Sequence, residues 1–127
     1  MSADIVHPGH IKIIKAGKAL GGVTIGLLTD KAITDKKKRV PAMTYAERLE
    51  VIQNIKGIER VMPQESSDYR PNLIKLKPDY VVHGDDWEDE AKQQVVDTLQ
   101  QWAGKLVELP YTQHISSTIL RLRLKEL

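Results

Sequence analysis

Gly22-Val23-Thr24-Ile25-Gly26-Leu27-Leu28 is the stretch on which the fold reading turns. It is short, almost wholly apolar and carries β-branched residues. It therefore predicts a strand buried on both faces, the habit of parallel sheets. Three further apolar runs lie downstream. Val61-Met62 and its neighbours form a weak one. Tyr80-Val81-Val82-His83 is entered from Lys77-Pro78-Asp79, and Lys105-Leu106-Val107-Glu108-Leu109 is stopped by Pro110. Helical patterns fall around these runs. Ile11, Ile14, Ala16 and Leu20 are spaced for one helix face. Thr44-Tyr45-Ala46-Glu47 reads as a capping box ahead of Leu49, Ile52 and Ile55. Ala91, Val95, Val96, Leu99 and Trp102 make an amphipathic face before Gly104, and Ser116 to Leu127 reads as a last helix. The alternation predicts an α/β domain, a doubly wound parallel sheet with helices on both faces. Such a sheet normally opens on a strand, yet only Met1 to Val6 precede the first helical pattern. A truncated first strand is expected. If it lies mid-sheet, its neighbours lose ladder hydrogen bonds there.

With 127 residues the chain is read as one domain, residues 1–127, long enough to bury a core without staples. It has no cysteine, which excludes disulfides, thiolate metal sites and Cys nucleophiles. Lys plus Arg is 19 against 17 for Asp plus Glu, so the net charge of +2 makes no global case for nucleic-acid binding. The apolar stretch at Val23 to Leu28 is far short of the ~20 residues of a membrane span. The N-terminus lacks the basic and apolar regions of a signal peptide. These features together predict a cytoplasmic protein without membrane partners. Phe is absent, so Ile, Leu, Val and Ala must build the core.

The polar clusters gather where strands end. His7-Pro8-Gly9-His10 opens the first helix. Two imidazoles three residues apart can both face a phosphate and donate N–H groups to it, while Gly9 lets the ligand approach the backbone. A metal pair or two surface histidines are the plainer readings, and a two-His motif with no third ligand makes a weak metal site. Ser116-Ser117-Thr118 opens the last helix after Thr112-Gln113-His114, to cap it or to hold an anion. Lys36-Lys37-Lys38-Arg39 follows the second strand as a solvated loop or as phosphate ligands. Gly84-Asp85-Asp86-Trp87 follows the third apolar run, where its plain reading is a helix cap with a packed Trp. All four clusters fall on one sheet edge, the edge where open α/β sheets bind ligands.

In this arrangement His7-Pro8-Gly9-His10 resembles the HxGH signature of the cytidylyltransferases, within the wider nucleotidyltransferase superfamily. Ile115-Ser116-Ser117-Thr118 resembles that family's ISST motif, and Gly84-Asp85-Asp86-Trp87 is similar to a stretch of bacterial glycerol-phosphate cytidylyltransferases. The likeness runs from Ser2 to about Leu120 with the motifs in order. Met1 to His10, Gly26 to Ile33 and Lys77 to Trp87 look like the cytidylyltransferases linked to phosphoenolpyruvate mutase.

The resemblance implies a Rossmann-like nucleotidyltransferase fold and a CTP-dependent enzyme that transfers CMP to a phosphonate, such as 2-aminoethylphosphonate or 2-hydroxyethylphosphonate, releasing pyrophosphate. A phosphate monoester acceptor such as glycerol 3-phosphate or phosphocholine is the alternative. A nucleotide-binding domain without activity is another. The resemblance implies His7, His10 and Lys38 as catalytic. It implies nucleotide binding by Ser2, Ala3, Asp4, Gly9, Arg48, Gly84, Asp85, Asp86, Trp87, Ile115, Ser116, Ser117 and Thr118. It further implies Mg2+ carried on the CTP phosphates with few protein ligands, a homodimer, and a mutase domain or partner. The acceptor is already an anion, so no general base is required, and positioning with charge stabilisation carries the reaction. The chain departs from the family pattern in its short first strand, in Gln113-His114 where Glu-Gly is frequent, and in Tyr111 where glycerol-phosphate enzymes carry Arg.

Overall fold

The computed structural model describes residues 1–111 and 114–127. Its elements alternate along the chain as expected. They are α1 (Pro8–Leu20), β1 (Val23–Leu28), α2 (Asp30–Lys37), α3 (Tyr45–Gln53), β2 (Ile58–Gln64), α4 (Arg70–Leu76), β3 (Tyr80–Gly84), α5 (Asp89–Gln100), β4 (Lys105–Leu109) and α6 (Ser117–Lys125). The four apolar runs are the four strands. Thr44 and Glu47 close the capping box, with Oγ1 accepting from the Glu47 N–H at 3.2 Å and the carboxylate accepting from the Thr44 N–H at 2.9 Å.

Two helices lie where no helical residues stand out in the sequence. α2 occupies ground that reads as loop. Thr29 caps it, its Oγ1 accepting from the Ala32 N–H at 3.1 Å, and Lys38 ends it in the left-handed region at φ 58°. Lys36 and Lys37 therefore stand in a last helical turn, where cations complement the dipole, and not in a loop. α4 is a seven-residue helix begun around Pro71.

The strands are parallel but do not form one continuous ladder. β1 pairs with β2, Ile25 opposite Val61 and Leu28 opposite Gln64. β3 pairs separately with β4, Val82 opposite Val107. Both pairs pack on α1, where a Cβ at Gly17 would lie 3.3 Å from a Val23 methyl and 4.0 Å from a Val82 methyl. Ahead of α1, Met1 lies alongside β1. Its nitrogen donates to the Gly26 carbonyl at 2.8 Å and its carbonyl accepts from the Leu28 N–H at 2.9 Å, two bonds of a parallel rung. Among the described residues β1 has a strand partner on one edge only, β2.

The core is divided to match. Ala3, Ile14, Val23, Ile25, Leu27 and Ile52 form one buried cluster; Leu73, Val95 and Leu99 form another, with Trp102 and Leu106 against it. The second cluster is pinned at its edge by the Trp102 indole N–H, which donates to the Pro78 carbonyl at 2.8 Å. A Cβ at Gly104 would come within 2.9 Å of Leu99 Cδ2 and Trp102 Nε1 and 3.0 Å of the Pro78 carbonyl oxygen. Gly104→Ala should therefore destabilise the fold by about 1–3 kcal/mol, as overpacking does. Urea unfolding of that variant checks this, and an unchanged midpoint would contradict the packing described.

Candidate functional site

The first helix begins on two histidines that cap each other. His7 is the N-cap, and its Nδ1 accepts from the Gly9 N–H at 3.1 Å. His10 reaches back, its Nδ1 accepting from the His7 N–H at 3.1 Å. The rings lie 4.0 Å apart, centroid to centroid. A ring nitrogen that accepts carries no proton, so both imidazoles hold their proton on Nε2. Burial, with the neighbouring His7 next in effect, lowers the His10 pKa to about 4; burial lowers that of His7 as well. At neutral pH the pair is two uncharged rings with fixed tautomers, each presenting one N–H donor. The Gly9 N–H is engaged by the His7 ring.

The segment ahead of the histidines is held by charge. Asp4 is only 4% exposed, and its carboxylate accepts from the N–H groups of Ala42 and Met43 at 2.8 and 2.9 Å. Arg121 of α6 donates to it at 2.6 Å, and Arg39 stands at 3.9 Å. These partners keep the Asp4 pKa below the usual carboxylate range although burial opposes them. Ala3 is fully buried in the left-handed region at φ 53°.

Arg48, which the resemblance assigns to the nucleotide, makes a set of bonds to the protein itself. It is 0% exposed, and its guanidinium donates to Met43 O at 3.1 Å, Ser2 O at 2.8 Å, Leu28 O at 2.7 Å and Asp30 Oδ1 at 2.7 Å. Four of the five N–H donors of the fork are engaged by protein, so the side chain is held chiefly by the fold. The residue instead ties the chain start to the end of β1. Ser2 takes part through the carbonyl that Arg48 holds.

At the last helix the plain reading of Ser116 holds: its Oγ caps α6, accepting from the Ile119 N–H at 3.0 Å. Ser117 Oγ donates to Ile5 O at 3.4 Å, bringing α6 against the segment before His7. Thr118 is exposed and Ile115 half-buried. Of the Gln113-His114 departure, Gln113 lies outside the described residues, as does Thr112, and His114 is exposed. Lys38 is exposed at its helix cap, at the same end of α2 as Lys37, whose field reaches His10.

Of the plain reading of Gly84 to Trp87 the packed Trp is found but not the helix cap, since Glu88 is the N-cap of α5 and no side chain caps it. Asp85 Oδ1 accepts from the Tyr111 N–H at 2.9 Å, bracing the end of β4, and Asp86 is exposed. The Trp87 ring stacks on His83 at 3.8 Å and meets Tyr69 edge-on, while its indole N–H donates to Glu108 at 3.1 Å. That aromatic cluster packs against the second core, and no sequence motif marks Tyr69 or His83 as part of it. Arg121 is likewise unmarked, whereas Arg39 belongs to the basic run the sequence shows. The only signal for Arg121 is that it falls one helical turn after Ser117. Among the described residues no group of three acidic or imidazole side chains could hold a metal ion, and no helix is long and apolar enough to cross a membrane.

Comparison with known proteins agrees with this geometry. FAD synthase of Korarchaeum cryptofilum (strain OPF8) is 34% identical over 92 residues, which is 68% of this chain and 62% of that protein. Glycerol-3-phosphate cytidylyltransferase of Bacillus subtilis (strain 168) is 29% identical over 120 residues, 93% of this chain and 88% of that one. A solved structure titled as the lipopolysaccharide core biosynthesis protein from Thermoplasma volcanium GSS1 superposes with a TM-score of 0.74 at 26% identity, covering 89% of this chain and 93% of the other. Residues 2–123 match the model of the cytidylyltransferase-like proteins, and the chain belongs to that family.

Proposed function

We propose that the chain is a CTP-dependent cytidylyltransferase that moves CMP onto the phosphate of a small phosphate monoester, of the glycerol 3-phosphate class. The carrying observation is the pair of neutral imidazoles whose Nδ1 atoms are both tied, leaving two Nε2–H donors at the start of α1. Such donors are oriented before the substrate arrives and supply hydrogen bonds without offering a nucleophile. Glycerol-3-phosphate cytidylyltransferase is a relative over most of both chains, and that coverage favours a phosphate acceptor over the phosphonate expected from sequence likeness.

An acceptor phosphate oxygen attacks the α-phosphorus of CTP. The new P–O bond forms as the bond to the bridging oxygen breaks, and pyrophosphate leaves with the electron pair. His7 and His10 donate to phosphate oxygens, and Lys38 supplies positive charge. The acceptor oxygen is ionised at neutral pH, so no base need remove a proton. Magnesium belongs to this reading as an ion carried on the phosphates of CTP, where it would offset their charge.

The test is pyrophosphate release from CTP with glycerol 3-phosphate, phosphocholine and 2-aminoethylphosphonate offered in turn. Release with a phosphate monoester is the expected result. Release with the phosphonate alone would restore the acceptor first expected, and a mutase partner with it. Nucleotide binding without turnover would support the inactive domain. Pairing as a homodimer is part of the same reading, checked by sedimentation at micromolar concentration.

A further inference from the structure

We infer that Lys37, Arg39 and Arg121, gathered about the Asp4 carboxylate, bind the doubly charged phosphoryl group of the acceptor; the inference rests on the nucleotidyl-transfer reading above. The charges around Asp4 do not balance. Its one carboxylate lies 2.6 Å from Arg121 and 3.9 Å from Arg39. Lys37 stands at the end of α2, two residues before Arg39. Burial first, and then the fields of Arg39, Arg121 and Lys36, push its pKa down, while that of Asp4 opposes them. Positive groups therefore outnumber the single Asp4 carboxylate. A phosphate monoester approaches two negative charges at pH 7, its second pKa lying near 6.

The donor chemistry fits as well. Arg121 makes one hydrogen bond to Asp4 through Nη2, its one bond among those of the described residues, so the rest of its planar fork can meet phosphoryl oxygens. The Arg39 side chain is 40% exposed and stands beyond hydrogen-bond distance of Asp4. Asp4 is itself immobilised by the Ala42 and Met43 N–H groups, so it orders the arginines without being free to swing into the ligand.

The place is right for a second anion. Asp4 lies three residues before His7. Ser117 of α6 touches the Ile5 carbonyl, and Arg121 is one turn further along the same helix face. The cations therefore flank the imidazole pair without including it, and two anions bound side by side are what the transfer requires.

Arg39→Gln and Arg121→Gln should each raise the KM for glycerol 3-phosphate at least tenfold while the KM for CTP stays within about twofold. Arg121→Lys should recover part of the loss by restoring charge without the fork. Thermal melting tests whether Arg121→Gln keeps its fold, and Arg39→Gln removes the more exposed partner in case it does not. A rise in the CTP constant with the acceptor constant unchanged, or no change in either, would overturn the inference. Calorimetric titration with glycerol 3-phosphate gives a readout independent of turnover. If the wild type binds it, the double variant does not, and no CMP is transferred, the reaction reading fails while the anion site stands. If both proteins bind it equally, the anion site fails.

Discussion

His10→Ala should lower turnover at least about a hundredfold, the usual loss when one donor to a transition-state oxyanion is removed. The effect reaches beyond one missing N–H. His10 also accepts from the His7 N–H, so its loss leaves that backbone donor without its partner and weakens the start of α1. Steady-state assays with CTP and glycerol 3-phosphate measure it, and near-normal turnover would remove the histidine from the transfer step. The same residue ties stability to acidity. Its pKa is about 4 in the folded chain against an ordinary 6.5. The unfolded chain takes up the proton first as the pH falls. The stability this ring contributes is whole above about pH 6.5 and drains away down to about pH 4, by an order of 3 kcal/mol. Unfolding at pH 7 and pH 4.5 should therefore show His10→Ala losing less than the wild type between the two.

Arg48→Ala should be the most destabilising substitution of a charged residue, by about 3–5 kcal/mol. Its guanidinium is the partner of three carbonyls, those of Ser2, Leu28 and Met43, and of Asp30. Each carbonyl left buried without a donor costs about 1–3 kcal/mol, and the emptied volume adds to that. Arg48→Lys should recover little, because one ammonium cannot span partners that a planar fork reaches together. Chemical denaturation measures both. Stability within 1 kcal/mol of the wild type would show that these bonds are replaced by water. CTP affinity measured on a variant that stays folded separates this tie from a direct phosphate contact.

The strands were readable because a buried parallel strand has a local signature, and Val23 to Leu28 carries it without help from the rest of the chain. α2 has no such signature: only Ala32 and Ile33 of its eight residues are buried, so its apolar face is too narrow to show as a period. Thr29 was its one clear mark. The imidazole pair could be placed at a helix start from its spacing, but the reciprocal capping needs the ring orientations that only coordinates supply. The structural tie made by Arg48 was hidden for a different reason. Its partners lie 46 and 20 residues away, and nothing in the local sequence shows that Ser2 and Leu28 converge on it. The packing of Trp87 against Tyr69 and His83 was likewise not legible, since these residues lie apart in the sequence.

The interruption between β1 and β3 bears on how the molecule breathes. Two-stranded sheets are marginal by themselves, so each pair depends on the helices packed over it. The pair β1–β2 sits on the cluster around Ile14 and Ile52, whereas β3–β4 sits on Leu73, Val95 and Leu99. Native-state deuterium uptake should accordingly resolve two cooperative opening units, with α1 as the shared wall between them. The imidazoles stand at the first turn of that wall, so any rocking of one half against the other is delivered straight to the mutually capped pair.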